Sequence, residues 1–236
     1  MLSPYVRHRL VLEQELLEAT LQRHSPTVAD KFVQEVFWRA YFKGWLEHHP
    51  DVWFDYRANV AKQIKTLESD PDLLCRYTYA VSEATGIECF DTWAAELKQT
   101  GYLHNHARMW FASIWIFTLG LPWQLGADFF LRHLIDGDPA ANTLSWRWVA
   151  GLHTKGKTYL ALSANIARYT DNRFDPSGQL APKAPPQTES RVFPLRDLPP
   201  EEPQPSWHNY GLLITEEDAS PETLTIREKP RSILGV

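Results

Sequence analysis

Residues 134–142 read Leu-Ile-Asp-Gly-Asp-Pro-Ala-Ala-Asn, and within this stretch one predicted helix ends and the next begins. Gly137 and Pro139 force a turn between two apolar segments. Asp136 and Asp138 stand at a helix start, where the macrodipole favours negative charge, so helix capping explains them. The same spacing occurs in divalent-metal sites, but a calcium loop needs more oxygen ligands and a later Glu, which are absent here. We therefore predict a capped helix start and no metal site.

Residues 102–110 form a second informative stretch, which reads Tyr-Leu-His-Asn-His-Ala-Arg-Met-Trp. Helical spacing places Asn105, Arg108 and Met109 on one face of an otherwise apolar helix. Polar groups in such a helix need partners, so we expect other parts of the fold to supply them. His104 and His106 are two residues apart and point away from each other on a helix, which argues against a metal pair.

Apolar residues recur every three or four positions from about Ser3 to Arg173, a spacing that indicates helices throughout and needs no sheet. Proline marks several helix starts, and Gly101 and Gly120 mark two helix ends. We predict one helical domain over residues 1–174. Its helices are expected to begin at Pro26 and end before Pro50, to begin at Pro71, and to cover about 89–99, 103–119, 123–135 and 140–152.

The remaining residues, 175–236, have a different composition, because 11 of the 17 prolines lie in them together with many Glu, Ser and Thr residues. Such a segment is either disordered or extended along a folded domain. We favour a partly ordered strap. Its expected anchors are the apolar side chains of Phe193, Trp207, Tyr210 and Leu212-Leu213.

The overall charge limits how this protein meets nucleic acid. A net charge of -5 and a pI near 6.0 do not supply bulk attraction for phosphate, so any contact with DNA has to be local. Cys75 and Cys89 are the only thiols, which disfavours a disulfide framework or structural zinc and fits the cytoplasm. No uninterrupted apolar run predicts a signal peptide or a membrane span.

Residues 32–39 carry a mixed aromatic and charged helix face. Phe32, Glu35 and Arg39 share that face, with Trp38 beside them. An ordinary ion pair between Glu35 and Arg39 explains the charges as well as a functional site does. The ten tryptophans are similarly open to two interpretations, since large aromatic residues also fill helical cores.

Taken together, the motifs resemble the FAD-binding half of DNA photolyases and cryptochromes over about residues 2–174. The two specific matches are the His-Asn-x-x-Arg-Met and Asp-Gly-Asp-x-Ala-Ala-Asn motifs, about thirty residues apart and followed by Trp146 and Trp148. The resemblance implies an all-α helical bundle of this type, followed here by the Pro-rich C-terminal extension. Further matches are Leu2-Ser3-Pro4, Glu35 with Trp38-Arg39, and Thr85-Gly86 with Asp91.

The resemblance also implies a U-shaped FAD in the centre of the bundle. Arg108 and Asp136 would form a buried pair beside the isoalloxazine ring, and such a pair is tolerated because each charge satisfies the other. Asn142 would face flavin N5 and tune which reduced form persists. The other implied cofactor contacts are Leu2 and Ser3 near the phosphates, Phe32, Glu35 and Arg39 along the cofactor, Asn105 between flavin and substrate, and Asp138.

Members of this family use light and reduced FAD to split cyclobutane pyrimidine dimers that are flipped out of DNA. The matching substrate-binding residues are Glu35, Trp38, Asn105, Met109 and Trp148, and the Asn and Met resemble the cyclobutane-specific class. Trp146 and Trp123 match the proximal and middle members of an electron-transfer chain, whereas the distal position falls near Asp70, with Tyr77 or Tyr79 as substitutes. The implied catalytic residues are thus Glu35, Asn105, Asn142, Trp146 and Trp123.

Three departures from the family pattern leave more than one function open. The antenna half and the phosphate-binding Thr-Ser before Leu2 are expected to be missing. Tyr159–Leu162 stands where the family carries a phosphate-contacting Arg, although Lys155 and Lys157 lie nearby. We predict a carbon-carbon lyase that repairs damaged DNA, preferably single-stranded. The alternatives are a cryptochrome-like photosensor without repair and a half-photolyase module that needs a separate protein partner.

Overall fold

A computed structural model describes residues 2–200, 209–223 and 229–236, and this part of the chain is built from helices. The predicted all-helical fold is thereby confirmed. No helix among the described residues is long and apolar enough to cross a membrane. The helices are α1 Ser3–Arg7, α2 Glu13–Arg23, α3 Pro26–His48, α4 Pro50–Ser69, α5 Pro71–Val81, α6 Glu88–Thr100, α7 Asn105–Ser113, α8 Trp123–His133, α9 Pro139–Val149 and α10 Ser163–Tyr169.

Most helix boundaries follow from capping and backbone geometry. Gly101 ends α6 with a φ of 68°, a left-handed conformation that glycine adopts without strain. The Asp70 carboxylate accepts a hydrogen bond from the Leu73 amide, and Pro71 follows as the first residue of α5. The predicted starts at Pro26, Pro71 and about Pro122 are therefore confirmed to within a residue.

The predicted helix over 103–119 differs from the observed one in two ways. The observed helix α7 begins at Asn105, because the His104 side chain accepts a hydrogen bond from the His106 amide and caps the helix. From Ile114 to Thr118 the α-helix continues as a π-helix. The π-turn admits one extra residue per turn, which the spacing of apolar residues does not reveal.

The extension contains a short sheet, where the sequence indicated none. Strands β1 (Gly211–Ile214) and β2 (Ser232–Gly235) pair in parallel, with Leu212 opposite Ile233. The two strands are separated in sequence, so neither shows the turn signal that marks a hairpin.

The contacts divide the chain into two compact units, and each is described by itself. The N-terminal unit comprises residues 1–44 and 197–236, and the core unit comprises residues 45–196. The predicted boundary at residue 174 stays a prediction.

The core unit is organised around stacked aromatic side chains. Phe90 and Phe111 stack with ring centroids 4.2 Å apart, and Trp115 lies 5.9 Å from Phe111. Trp146 on α9 meets Trp115 edge-on and packs closely over Gly126 on α8. The interpretation of Trp123 and Trp146 as core residues is confirmed, since both are buried.

Residues 184–196 of the extension lie along the core unit as a strap. The Arg147 guanidinium binds the Glu189 carboxylate through both oxygens, at 2.9 and 2.5 Å. The strap is also held by backbone contacts, such as that from the Gln187 amide to the Ala150 carbonyl. Phe193 is an anchor as predicted, with the Arg147 guanidinium 5.4 Å from its ring, whereas Trp207 lies outside the described residues.

The N-terminal unit joins α1 to the extension. Arg7, the last residue of α1, binds Glu217, and Arg9 binds Asp218. Tyr210 accepts a backbone hydrogen bond from Arg231, just before β2. By contrast, α3 carries large exposed side chains, and Ala29 is its only buried residue.

We predict that Gly126→Ala destabilises the fold by about 2 kcal/mol, the usual cost of overpacking a core. An added Cβ would overlap the Trp146 ring and would lie 2.9 Å from Trp115 Nε1. Urea denaturation followed by far-ultraviolet circular dichroism measures the change. Gly44→Ala is the matched control, because nothing lies within 4 Å of its added Cβ and alanine favours helix. Equal losses in both variants would contradict this packing.

We predict that Glu189→Gln destabilises the protein by about 3 kcal/mol, because it leaves the buried Arg147 guanidinium without its carboxylate. The control is Arg191→Gln, which breaks an exposed pair with Asp55 and is expected to cost less than about 1 kcal/mol. Thermal unfolding compares the two variants. If they unfold at the same temperature, the strap is not held by the buried pair.

Candidate functional site

The polar face of α7 finds its partner in the turn that precedes α9. Arg108 donates to Asp136 at 2.8 Å and to the Leu103 carbonyl at 2.8 Å. The Asp136 side chain is 4% exposed and that of Arg108 is 24% exposed, so the pair is largely shielded from water. The expected pairing of these two side chains is thus observed. Each charge of the pair compensates the other, because removal of either partner would leave a buried charge unpaired.

One carboxylate oxygen of Asp136 takes no part in the ion pair. Asp136 Oδ1 is buried and has no hydrogen-bond partner among the described residues. Buried acceptors are nearly always satisfied, so this carboxylate oxygen is able to accept a hydrogen bond from an ordered water or a bound molecule. The site therefore fits a ligand with N–H or O–H donors, which includes a flavin nucleotide.

Asp138 and Asn142 lie at the start of α9, and both are buried. Asp138 Oδ1 caps the helix by accepting from the Ala141 amide at 2.8 Å, as the sequence suggested. Asn142 Nδ2 donates to the Ala127 carbonyl of α8 at 2.8 Å. This bond fixes the orientation of the Asn142 carboxamide. Contact of either side chain with a cofactor stays a prediction.

The predicted substrate residues of the core unit are more accessible than the pair. Asn105 is exposed, Met109 is partly buried, and Trp148 is 37% exposed. Trp148 packs against Tyr159 with ring centroids 5.8 Å apart. Burial raises the pKa of the Tyr159 hydroxyl above its ordinary value.

The two predicted electron-transfer tryptophans have different aromatic neighbours. Trp146 meets Phe130 and Trp115 edge-on, at 5.1 and 6.2 Å between centroids. Trp123 stacks on Tyr56 at 5.6 Å. Tyr77, a predicted distal substitute, contacts Trp115 at 6.0 Å, and Asp70 caps α5. Their roles in electron transfer stay predictions.

Two residues of this region were not anticipated from the sequence. Arg147 is buried and its guanidinium lies 5.9 Å from the Trp123 ring. Tyr56 is buried against Trp123, and burial raises the pKa of its hydroxyl well above the usual value. Arg147 could have been found from its position between two tryptophans on an apolar helix. Tyr56 could have been found because it lies three residues after Trp53 and so shares a helix face with it.

The remaining predicted residues belong to the N-terminal unit. Arg39 is mostly buried and approaches Glu13 at 3.4 Å, and it donates to the Arg7 carbonyl at 3.5 Å. Ser3 begins α1. The exposed members are Leu2, Phe32, Glu35 and Trp38, of which Trp38 is 50% exposed.

Comparison with known proteins gives consistent results. A family model described as the FAD binding domain of DNA photolyase matches residues 32–190. The chain is 33% identical over 178 residues to a deoxyribodipyrimidine photo-lyase of Streptomyces griseus, a match that covers 75% of this chain and 37% of that protein. A protein of the same name from Escherichia coli (strain K12) is 28% identical over 193 residues, which cover 81% of this chain and 37% of that one.

A solved structure is also similar. It is a bacterial class III photolyase from Agrobacterium tumefaciens, with a TM-score of 0.55 and 25% sequence identity over 73% of this chain and 36% of that chain. The present chain therefore spans little more than a third of the length of these relatives.

We predict that Asp136→Asn destabilises the core unit by about 3 kcal/mol, because Arg108 loses the charge that compensates it. Asp138→Asn is the matched control, since asparagine caps a helix about as well as aspartate and the loss should stay below about 1 kcal/mol. Urea denaturation measures both. A larger loss for the Asp138 variant would show that the cap, rather than the ion pair, holds this turn.

Proposed function

This chain belongs to the family of FAD-binding domains of DNA photolyases, and we propose that it repairs cyclobutane pyrimidine dimers in DNA under blue light, with single-stranded DNA as its preferred substrate. FAD is the cofactor of this family of domains. Reduced FAD, when bound, supplies the electron that opens the cyclobutane ring and accepts it back afterwards. The proposed activity is that of a carbon-carbon lyase. We place it in the cytoplasm.

The observation that carries the proposal is the shielded ion pair with its unused acceptor. Arg108 holds Asp136 in place through Oδ2, while Oδ1 stays available to a donor on the cofactor. Asn142 offers a carboxamide that the Ala127 carbonyl orients. These groups provide fixed dipoles and charges in a site shielded from water, where they act more strongly than in solution. Asp138 is retained as a proposed cofactor contact.

The substrate side of the proposal rests on exposed aromatic and amide groups. Trp148 presents a ring on which a flipped pyrimidine stacks, and Asn105 presents a carboxamide that hydrogen-bonds a base edge. Met109 supplies adaptable apolar contact. Glu35 and Trp38 remain proposed substrate contacts on the strength of the sequence motif alone.

The net charge of -5 favours a second candidate, a cryptochrome-like photosensor without repair activity. Phosphate contacts normally supply much of the affinity for DNA, and an acidic protein forgoes most of them. A half-photolyase module that works with a separate protein partner is the further alternative.

The first experiment measures bound flavin and repair in the same sample. Purified full-length chain is reduced and illuminated with blue light in the presence of a single-stranded oligonucleotide that contains one thymine dimer, and loss of the dimer is followed against a dark control. We expect repair only in the light and only with flavin bound. Bound flavin without repair would favour the photosensor, and protein that takes up no flavin would overturn the proposal.

We predict that Trp38→Ala weakens binding of the dimer-containing oligonucleotide about tenfold, since stacking of one base is worth about 1–3 kcal/mol. Phe37→Ala is the matched control, because Phe37 is 59% exposed on the same helix but is the adjacent residue and points elsewhere. Fluorescence anisotropy measures both affinities. Equal weakening in the two variants would remove Trp38 from the substrate site.

A further inference from the structure

We propose that Arg7 and Arg9 form a binding site for a diphosphate group, and that the acidic turn of the extension, Glu216-Glu217-Asp218, occupies this site as an internal competitor. All of these residues belong to the N-terminal unit. The sequence motifs assign no role to either arginine or to the acidic turn. The inference rests on the proposed function in one respect, namely that FAD is the molecule whose diphosphate competes.

The pair between Arg7 and Glu217 has an asymmetric burial that suits a replaceable partner. The guanidinium donates to both carboxylate oxygens, at 2.8 and 2.5 Å. The Arg7 side chain is 4% exposed, whereas that of Glu217 is 49% exposed. Glu217 is therefore already in contact with water, while the shielded Arg7 guanidinium keeps a positive charge that attracts an anion. Guanidinium groups bind phosphate oxygens in the same bidentate geometry.

A second pair lies next to the first and indicates two linked anionic groups. Arg9 binds Asp218 at 3.1 Å, and both side chains are partly exposed. Arg9 has a φ of 54°, in the left-handed region, so the backbone turns directly after α1. Two cations two residues apart thus bind two adjacent carboxylates. A diphosphate carries two linked anionic groups, which matches this arrangement better than a single phosphate does.

The backbone holds the acidic turn in register with the arginines. The Ala219 amide donates to the His8 carbonyl at 2.9 Å, and the Ser220 hydroxyl donates to the Arg9 carbonyl at 2.5 Å. His8 Nδ1 lies 2.7 Å from the Glu216 carbonyl oxygen. These contacts place the turn along the residues that follow α1, so its carboxylates face both guanidinium groups.

The position of the arginines connects this site to the cofactor. Ser3, which the sequence motif assigns to the flavin phosphates, begins the same helix that Arg7 ends. Arg39, which the motif assigns to the cofactor, donates to the Arg7 carbonyl at 3.5 Å. Two residues implied in cofactor binding therefore flank Arg7 within one unit.

An acidic turn that is part of the chain competes as a tethered ligand. Tethering gives it an effective concentration of about millimolar or more, so it lowers the apparent affinity of the site for any external anion. The apparent dissociation constant equals the intrinsic one divided by the fraction of molecules in which the turn is released. By reciprocity, an anion that binds the arginines releases the turn.

The test uses the full-length chain and inorganic pyrophosphate, titrated calorimetrically at low salt. We expect Glu217→Gln to tighten pyrophosphate binding about tenfold, within the usual range of coupling between competing sites. Glu216→Gln is the matched control and should leave the affinity unchanged, because Glu216 contacts His8 through its backbone carbonyl. Adding Arg7→Gln to the Glu217→Gln variant should abolish the gain.

A second measurement follows the extension directly. Pyrophosphate should accelerate tryptic cleavage after Arg231 in the unmodified chain, because it releases the turn. Asp218→Asn repeats the affinity test at a more exposed pair if Glu217→Gln fails to fold. The proposal would be overturned if the variant that folds loses thermal stability but gains no affinity for pyrophosphate. It would also be overturned if pyrophosphate does not change the rate of tryptic cleavage.

The outcome is separable from that of the proposed function. A chain that takes up no flavin, yet gains affinity for pyrophosphate in Glu217→Gln, would overturn the flavin proposal and retain the diphosphate site. A chain that binds flavin and repairs dimers, without any such gain, would overturn only the competition.

Discussion

The close approach of α8 and α9 at Gly126 is the constraint on which the core unit depends. A side chain at this position would overlap the Trp146 ring, so glycine is what allows the two helices to come together. Asn142 lies about one helical turn before Trp146 and bonds to the carbonyl of Ala127, the residue after Gly126. The orientation of this buried amide and the packing of the tryptophan therefore have the same origin.

Arg108, Arg147 and Arg7 each bind a carboxylate, and each of these pairs serves a different part of the molecule. Arg108 and Asp136 join α7 to the turn before α9, whereas Arg147 and Arg7 each bind a glutamate of the extension. Buried pairs contribute less to stability than to specificity, because an unpaired charge is costly in any alternative arrangement. The described part of the extension is thus bound to shielded arginines at Glu189 and Glu217.

The sequence predicted those features that depend on local chemistry. The helix cap at Asp138, the glycine stop at Gly101 and the partnering of Arg108 all follow from nearby residues or from a specific motif. The π-helix at Ile114–Thr118 was not predicted, because it changes the hydrogen-bond register without a distinctive composition. The partners of Arg7 and Arg147 were also not predicted, since they lie 210 and 42 residues away in the sequence. Side-chain assignments to the cofactor depend on the motif and remain proposals.

The discontinuous make-up of the N-terminal unit has a consequence for how the chain folds during synthesis. Residues 1–44 leave the ribosome before the core unit, but they share a unit with residues 197–236, which follow it. The core unit, by contrast, is continuous and its aromatic stacks are complete once residue 196 has emerged. Because domains fold as units as they emerge, the core unit is able to assemble while residues 1–44 still lack the second segment of their own unit. The N-terminal unit is therefore completed only after synthesis of the core unit that separates its two segments in the sequence.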